Sequence, residues 1–383
     1  MLQLDENGYR VSGEGTSVEL LPKEFALLKF LYRGRGRAFS REQLLEGVWP
    51  LEYPVERTVD DHIYRLRKKL QPFPGIGIRT VRGFGYCLTE RTAAHGVDAS
   101  PSAKDGELHE KMAEVFAKYH QYGQGRSMLA LARQQDVLGY ELDGFYSVYI
   151  HFVEGDVEWL LRGEAPLAER LYSLLLFLLV TEEPEEGLAW CERVLEAKIL
   201  PQVQHRELEI LNVLELYAAA GRAEEALERL KLTREAIKEP GYENFGTPAA
   251  NAELYVRLMT DTPEAEMRQL IHRVEAMIQD KPFLRDIGSC KLSKGLWKLK
   301  KNEHLAGEAL IDEGLGVLEL SGFVPMKLFA LYRIIYFCRR YDFKGRESVQ
   351  RKYEPMFQEE QARCGFPELK AEMIKLLNDC LNR

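Results

Sequence analysis

Residues 57–70, RTVDDHIYRLRKKL, limit what this chain can fold into more than any other stretch. Val59, Ile63, Leu66 and Leu70 recur at helical spacing, so the segment is predicted to be an amphipathic helix with one core-facing stripe. The other sides carry Arg57, His62, Tyr64, Arg65, Arg67, Lys68 and Lys69, a mostly basic surface suited to an anionic partner. A charged face is commonly no more than a solvated one, so the neighbouring segments decide. Just downstream, RTVRGFGY at 79–86 alternates extended-prone residues with glycines and projects Arg79 and Arg82.

Upstream, short extended-prone pieces at 2–4, 9–11 and 18–20 are separated by Gly8 and Gly13 to Gly15, the pattern of small antiparallel strands. Pro22 stands where a first helical residue would, and Phe25, Leu27, Leu28, Phe30 and Leu31 supply the stripe of a first helix over 22–32. Ser40 followed by Gln43 is a capping-box pattern, so a second helix starts at Arg41 and stops before Pro50. Pro50 and Pro54 keep the next residues non-helical until the basic helix begins near Arg57. Strands at 76–81 and 86–89 then flank a turn at Gly83 to Gly85.

In that order, the pieces LPKEFALLKFL, FSREQLLEGVW, RTVDDHIYRLRKKL and RTVRGFGY resemble the winged-helix effector domain of OmpR/PhoB-type transcriptional regulators. The resemblance covers residues 1–90 and implies a small α+β winged helix-turn-helix domain that binds double-stranded DNA. It implies a third helix in the major groove, a wing in the minor groove, and a loop between helices two and three that touches RNA polymerase. The DNA-contacting positions then fall on Arg57, Thr58, Asp61, His62, Tyr64, Arg65, Arg67 and Arg82. Of these, Arg65 and His62 are assigned to base edges, Arg57 and Arg67 to phosphates, and Arg82 to the minor groove. The polymerase-facing loop falls on Trp49, Leu51, Glu52, Tyr53 and Glu56. Asp61 and Tyr64 depart from the residues common in that family, and Leu21 replaces its usual helix-capping Thr or Ser. No stretch matches the family's receiver domain, so no phosphoacceptor aspartate is assigned.

Residues 91–106, RTAAHGVDASPSAKDG, lose periodicity and read as a linker. From 107 to 383 helical segments come in pairs: 108–122 with 126–138, 167–180 with 185–197, 248–260 with 263–279, 284–300 with 303–319, and 325–342 with 346–364. The clearest pair lies in 207–237, where Tyr217, Gly221 and Ala226 supply bulk, a turn and room between antiparallel helices. This unit resembles a tetratricopeptide-type repeat, and the spacing predicts an all-α, TPR-like superhelix. Its concave face is expected to take a signalling peptide or partner protein, with Asn212 and Asn251 as amides able to hydrogen-bond a peptide backbone. The aromatic group Tyr140, Phe145, Tyr146, Tyr149 and Phe152 fits either a groove wall or a core.

The formal net charge of −8 hides an asymmetry. Residues 1–90 hold 14 Lys and Arg against 12 Asp and Glu, out of 52 and 60 in the chain, which leaves 38 against 48 behind them. The acid thus lies outside the DNA-binding segment. Six scattered cysteines without a Cys-x-x-Cys pair point to buried thiols in a reducing compartment. The most apolar run, LYSLLLFLLV, is too short for a bilayer and no leader precedes it, so the expectation is a cytoplasmic protein with no membrane segment. No phosphate loop, zinc helix or nucleophile elbow is found, so no enzyme, metal or cofactor is expected. The leading reading is a bacterial, sequence-specific transcriptional regulator, homodimeric on DNA and controlled through its helical region. The alternative is an adaptor whose repeats bind a partner while the winged helix makes only a weak DNA or protein contact.

Overall fold

The computed structural model describes residues 3–5, 8–13, 16–35, 38–49, 57–73, 76–81, 85–90, 102, 105–163 and 165–382. The chain divides into two compact units, Met1–Ser100 and Pro101–Arg383.

In the first unit, strands β1 (Gln3–Asp5), β2 (Arg10–Gly13) and β3 (Thr16–Glu19) form an antiparallel sheet in sequence order. Helix α1 (Pro22–Arg33) begins with proline at its first position, where a missing N–H costs nothing. A short strand β4 (Ala38–Ser40) leads into α2 (Arg41–Val48). The Ser40 side chain accepts the Gln43 N–H at 3.1 Å while the Gln43 side chain accepts the Ser40 N–H at 3.0 Å, so the capping box forms as expected. Helix α3 (Arg57–Leu70) follows, then β5 (Ile76–Val81) and β6 (Gly85–Glu90). The second sheet has the order β4-β6-β5, all antiparallel. Strand β4 is an addition to the sequence reading: it has only three residues and its partner Tyr86 lies far along the chain. Phe25, Leu27, Leu28, Leu31, Leu44, Val59, Ile63, Leu66, Ile78 and Leu88 make one buried core between helices and sheet.

The second unit is helical throughout its described secondary structure. It comprises α4 (Gly106–Tyr122), α5 (Gly125–Ala132), α6 (Gln135–Leu138), α7 (Gly144–Glu154), α8 (Val157–Arg162), α9 (Leu167–Leu179), α10 (Pro184–Ala197) and α11 (Gln202–Glu207). A π-helical turn at Leu208–Asn212 joins α11 to α12 (Val213–Ala219). Then come α13 (Ala223–Ala236), α14 (Gly246–Leu258), α15 (Glu264–Asp280), α16 (Leu284–Lys300), α17 (His304–Ser321), α18 (Val324–Arg340), α19 (Arg346–Arg363) and α20 (Lys370–Leu381). Every residue from Arg170 to Leu179 is buried, which is why the most apolar run of the sequence is a central helix packed against α7, α8, α10 and α20. No helix among the described residues is long and apolar enough to cross a membrane.

Helices α10, α12, α14, α16 and α18 touch in succession, with α13, α15, α17 and α19 packed beside them. The array then returns to its beginning. Tyr332 donates to the Glu182 carbonyl at 2.9 Å, Gln361 to that of Val180 at 3.2 Å, and Lys370 pairs with the Glu182 carboxylate at 3.0 Å. The C-terminal helices therefore pack back on residues 180–182, at the end of α9.

Helices α16 and α17 approach most closely, through two pairs of glycines seven residues apart, Gly288 with Gly295 and Gly307 with Gly314. A Cβ at Gly295 would stand 2.8 Å from the Gly307 carbonyl oxygen and 2.7 Å from Ile311, and backbone cannot yield as a flexible side chain can. Gly295→Ala is therefore expected to destabilise the full chain by about 1–3 kcal/mol in denaturant titration, the usual cost of overpacking. Gly316, on the open side of α17 with nothing within 4 Å, provides the contrast. There Gly316→Ala should stabilise by roughly 0.5–1 kcal/mol through helix propensity alone.

Candidate nucleic-acid interface

Helix α3 is two-sided because its sequence is. Val59, Ile63 and Leu66 are fully buried and Leu70 nearly so. With about 3.6 residues per turn, Asp61, Tyr64, Arg65 and Lys68 then fall together on the opposite side, and all four are exposed. Tyr64 shows 59% of its surface, and the Lys68 ammonium lies 4.6 Å from the centre of its ring. The plate and the charge form one continuous surface.

Three polar ties fix the rotation of this helix. At its start, the Asp60 carboxylate accepts from Arg41 Nε at 2.8 Å and from the Tyr86 hydroxyl at 2.7 Å, joining α3 to α2 and β6. Burial and then Asp60 raise the Tyr86 pKa, and Asp60 foremost raises that of Arg41. Further along, Arg67 donates through Nε to the Ile78 carbonyl at 2.9 Å and through Nη2 to Thr80 Oγ1 at 2.7 Å, so the helix carries strand β5 with it. Near the end, Lys69 pairs at 2.7 Å with Glu24, which is only 1% exposed. Glu24 also accepts the Leu21 N–H at 2.9 Å. The side-chain cap that Leu21 cannot offer is thus replaced by one reaching back from the third residue of α1.

The residues expected to meet DNA divide accordingly. Asp61, Tyr64 and Arg65 lie on the exposed stripe, and no described residue forms an ion pair with Arg65. Thr58 and His62 are half-buried. His62 Nδ1 lies 2.7 Å from the Thr58 carbonyl oxygen, which can only accept, so Nδ1 holds the proton and Nε2 is the free edge. Its ring packs edge-on to Trp49 at 5.1 Å. Arg67 is a brace between helix and hairpin whose remaining N–H groups stay at the surface. Arg57 opens the helix, but its side chain lies outside the described residues, as does Arg82. In the polymerase-facing loop, Leu51, Glu52, Tyr53 and Glu56 also lie outside them. Trp49 is 4% exposed and belongs to the core, so its ring is not on offer to a partner. Asp60, Arg41, Glu24 and Tyr86 escaped the sequence reading because each acts through a partner distant in the chain.

Of the two asparagines expected to bind an effector, Asn212 is half-buried on the π turn and donates to the Tyr172 hydroxyl at 2.7 Å. Asn251 is 6% exposed and donates to Asp286 at 3.3 Å. It is held within the helix packing rather than presented to a peptide. Tyr140, Tyr146 and the Phe116 beneath them are core residues, while Phe145 is 45% exposed. No group of residues among those described has the makeup of a metal site.

Residues 15–88 match the family described as transcriptional regulatory protein, C terminal. The phosphate regulon transcriptional regulatory protein PhoB of Rhizobium meliloti (strain 1021) is 51% identical over 90 residues, which are 23% of this chain and 39% of that protein. The transcriptional regulatory protein ResD of Bacillus subtilis (strain 168) is 44% identical over 89 residues, 22% of this chain and 37% of that one. The chain thus spans well under half the length of these relatives. The crystal structure of the DNA-binding domain of Bacillus subtilis CssR, at 36% identity and a TM-score of 0.21, covers 23% of this chain and 99% of its own.

The Glu24–Lys69 tie has a pH signature. Burial alone would raise the Glu24 pKa, but the Lys69 ammonium and the Leu21 N–H outweigh it and hold the carboxyl below its usual 4.5. The unfolded chain then binds the proton more readily, so the tie stabilises fully above pH 4.5 and is lost as pH falls through the lower folded value. In Glu24→Gln this dependence should vanish, read as amide hydrogen exchange in α1 and α3 of the full chain between neutral and acid pH.

Proposed function

We propose that this chain is a bacterial transcriptional regulator that reads double-stranded DNA through α3 and is controlled by an effector bound in its helical unit. The observation that carries the DNA reading is the exposed stripe of Asp61, Tyr64, Arg65 and Lys68 on a helix whose opposite face is fully buried. The relatives that match residues 15–88 are themselves transcriptional regulators, which supports the same reading. On the duplex, Arg65 offers two parallel donors to guanine, His62 Nε2 accepts from a base amino group, and Lys68 neutralises phosphate. Asp61 favours cytosine N4 and disfavours approach to phosphate, so it selects rather than attracts. Arg82 is assigned to the minor groove and residues 51–56 to RNA polymerase, each through the resemblance of the sequence. A single such unit reads a short site, so two copies on repeated half-sites are proposed.

Footprinting on promoter DNA tests this. Arg65→Ala combined with Arg82→Ala should weaken specific binding by roughly 1–3 kcal/mol for each lost contact, about tenfold or more. Lys68→Ala should lower affinity evenly across sequences and reduce the salt slope by about 1. A footprint unchanged by the Arg65 and Arg82 pair would overturn the proposed mode and favour the adaptor reading.

A further inference from the structure

Helices α14 and α15 and the turn that joins them line a cavity of about 340 Å³ that opens to solvent. That volume is in the range of small-molecule sites. Glu253 and Arg257 enter it from α14, Thr262 from the turn, and Glu266, Gln269 and Arg273 from α15. Among the described residues, Leu270 is the one apolar side chain in the lining.

The cations in this cavity outnumber what its floor can pair. Glu253 is 7% exposed, and both of its carboxylate oxygens are taken: Oε1 accepts from Arg234 of α13 at 2.7 Å, and Oε2 accepts from Arg273 at 2.6 Å. Arg257 stands one turn beyond Glu253 on α14, the spacing at which a helix pairs a glutamate with a following cation. Glu253 is already held by the two other arginines, and no described residue forms a hydrogen bond or ion pair with the Arg257 side chain. Arg257 is nevertheless half-buried. A guanidinium partly withdrawn from water and without a counter-charge gains by taking up an anion.

The rest of the lining asks for something else. Thr260 Oγ1 donates its only proton to the Arg257 carbonyl at 2.9 Å, so in its 2.6 Å contact with Thr262 it is the acceptor. Thr262 therefore spends its proton on Thr260 and turns acceptor lone pairs to the cavity. The Glu266 carboxylate accepts as well, and the Gln269 amide can do either. A ligand that satisfies all of these carries an anionic group, several hydroxyl donors and little apolar surface.

We propose that this cavity binds a sugar phosphate, its phosphate on Arg257 and Arg273 and its hydroxyls on Thr262, Glu266 and Gln269. A tetrahedral phosphate presents three terminal oxygens to guanidiniums arriving from two helices, whereas a planar carboxylate is filled by a single arginine fork. A lining with one leucine gives neither an acyl chain nor a nucleobase a surface to cover. This rests on, and gives a ligand class to, the reading of the helical unit as an effector-binding module.

The test is isothermal titration of the full chain with pentose and hexose monophosphates, each active one compared with its unphosphorylated sugar and with inorganic phosphate. At least one sugar phosphate should bind, and both comparison compounds should bind about tenfold or more weakly. Arg257→Ala should lose a similar factor while its circular dichroism and thermal melting match the wild type, since no described residue bonds to that side chain. Thr262→Val should weaken the sugar phosphate and leave inorganic phosphate unchanged. No binding by any sugar phosphate at millimolar concentration, equal binding of the sugar or of phosphate alone, or full affinity in Arg257→Ala overturns the proposal. Sugar acids that bind where sugar phosphates do not overturn it as well. Binding that leaves the DNA footprint unchanged overturns the regulatory reading and keeps the site. A footprint that cell extract shifts although no sugar phosphate binds overturns the site and keeps the regulatory reading.

Discussion

The orientation of α3 depends on a division of labour between two kinds of contact. Burial of Val59, Ile63, Leu66 and Leu70 holds the helix to the core, at roughly 1.5–3 kcal/mol for each side chain. Apolar burial has no direction, however, and tolerates a rolled helix nearly as well as a fixed one. Hydrogen bonds do have direction. The ties from Asp60 in the first turn and from Arg67 and Lys69 in the last reach four different elements, α2, β6, β5 and α1. Each is worth only about 1 kcal/mol net, but rotation would break all three and would strand Glu24 as a buried, unpaired carboxylate. The charged residues of α3 therefore fall into two sets, those that hold the helix and those it presents. Only the second is free to meet a partner.

The helical unit solves a different problem. Stacked helix pairs bury one side of each helix against the next, so an open array needs no contact between its ends. Here α18, α19 and α20 return to α7, α9 and α10, and the long-range hydrogen bonds to Glu182 and Val180 fasten the return. Polar residues between packed helices must find partners, and many do: Arg333 pairs with Glu215 over the Tyr255 ring, and Tyr336 donates to the Ala219 carbonyl.

What could be read from the sequence was local. Helix α3 was delimited at Arg57 and Leu70, and the Ser40–Gln43 box marked the start of α2, because periodicity and capping act over a few residues. The helix pairs of the second unit were legible for the same reason. What escaped was nonlocal. Glu24 meets a lysine 45 positions away, and Asp60 meets Tyr86 across 26, so neither spacing carries a signature. Trp49 was placed in an exposed loop by its neighbours, yet its ring fills the core beside His62. Only the glycines at 288, 295, 307 and 314 left a readable trace, a seven-residue interval that small residues need where two helices touch at the backbone.

The charge asymmetry bears on how such a molecule would choose DNA. Residues 1–90, which contain α3, hold 14 basic against 12 acidic residues, while the rest holds 38 against 48. Nonspecific attraction grows with the number of phosphates neutralised, and an acidic remainder adds none. At physiological ionic strength the screening length is about 8 Å, so the excess acid acts weakly on a duplex lying farther away than that, while contacts within the α3 stripe act in full. At low salt the same acid repels the duplex over a longer range. A protein built this way gives up general affinity for nucleic acid and keeps what the stripe itself supplies. On the proposed reading, Asp61, set among Tyr64, Arg65 and Lys68, would apply the same logic within the stripe: it would subtract attraction everywhere and return it only where a base presents a donor.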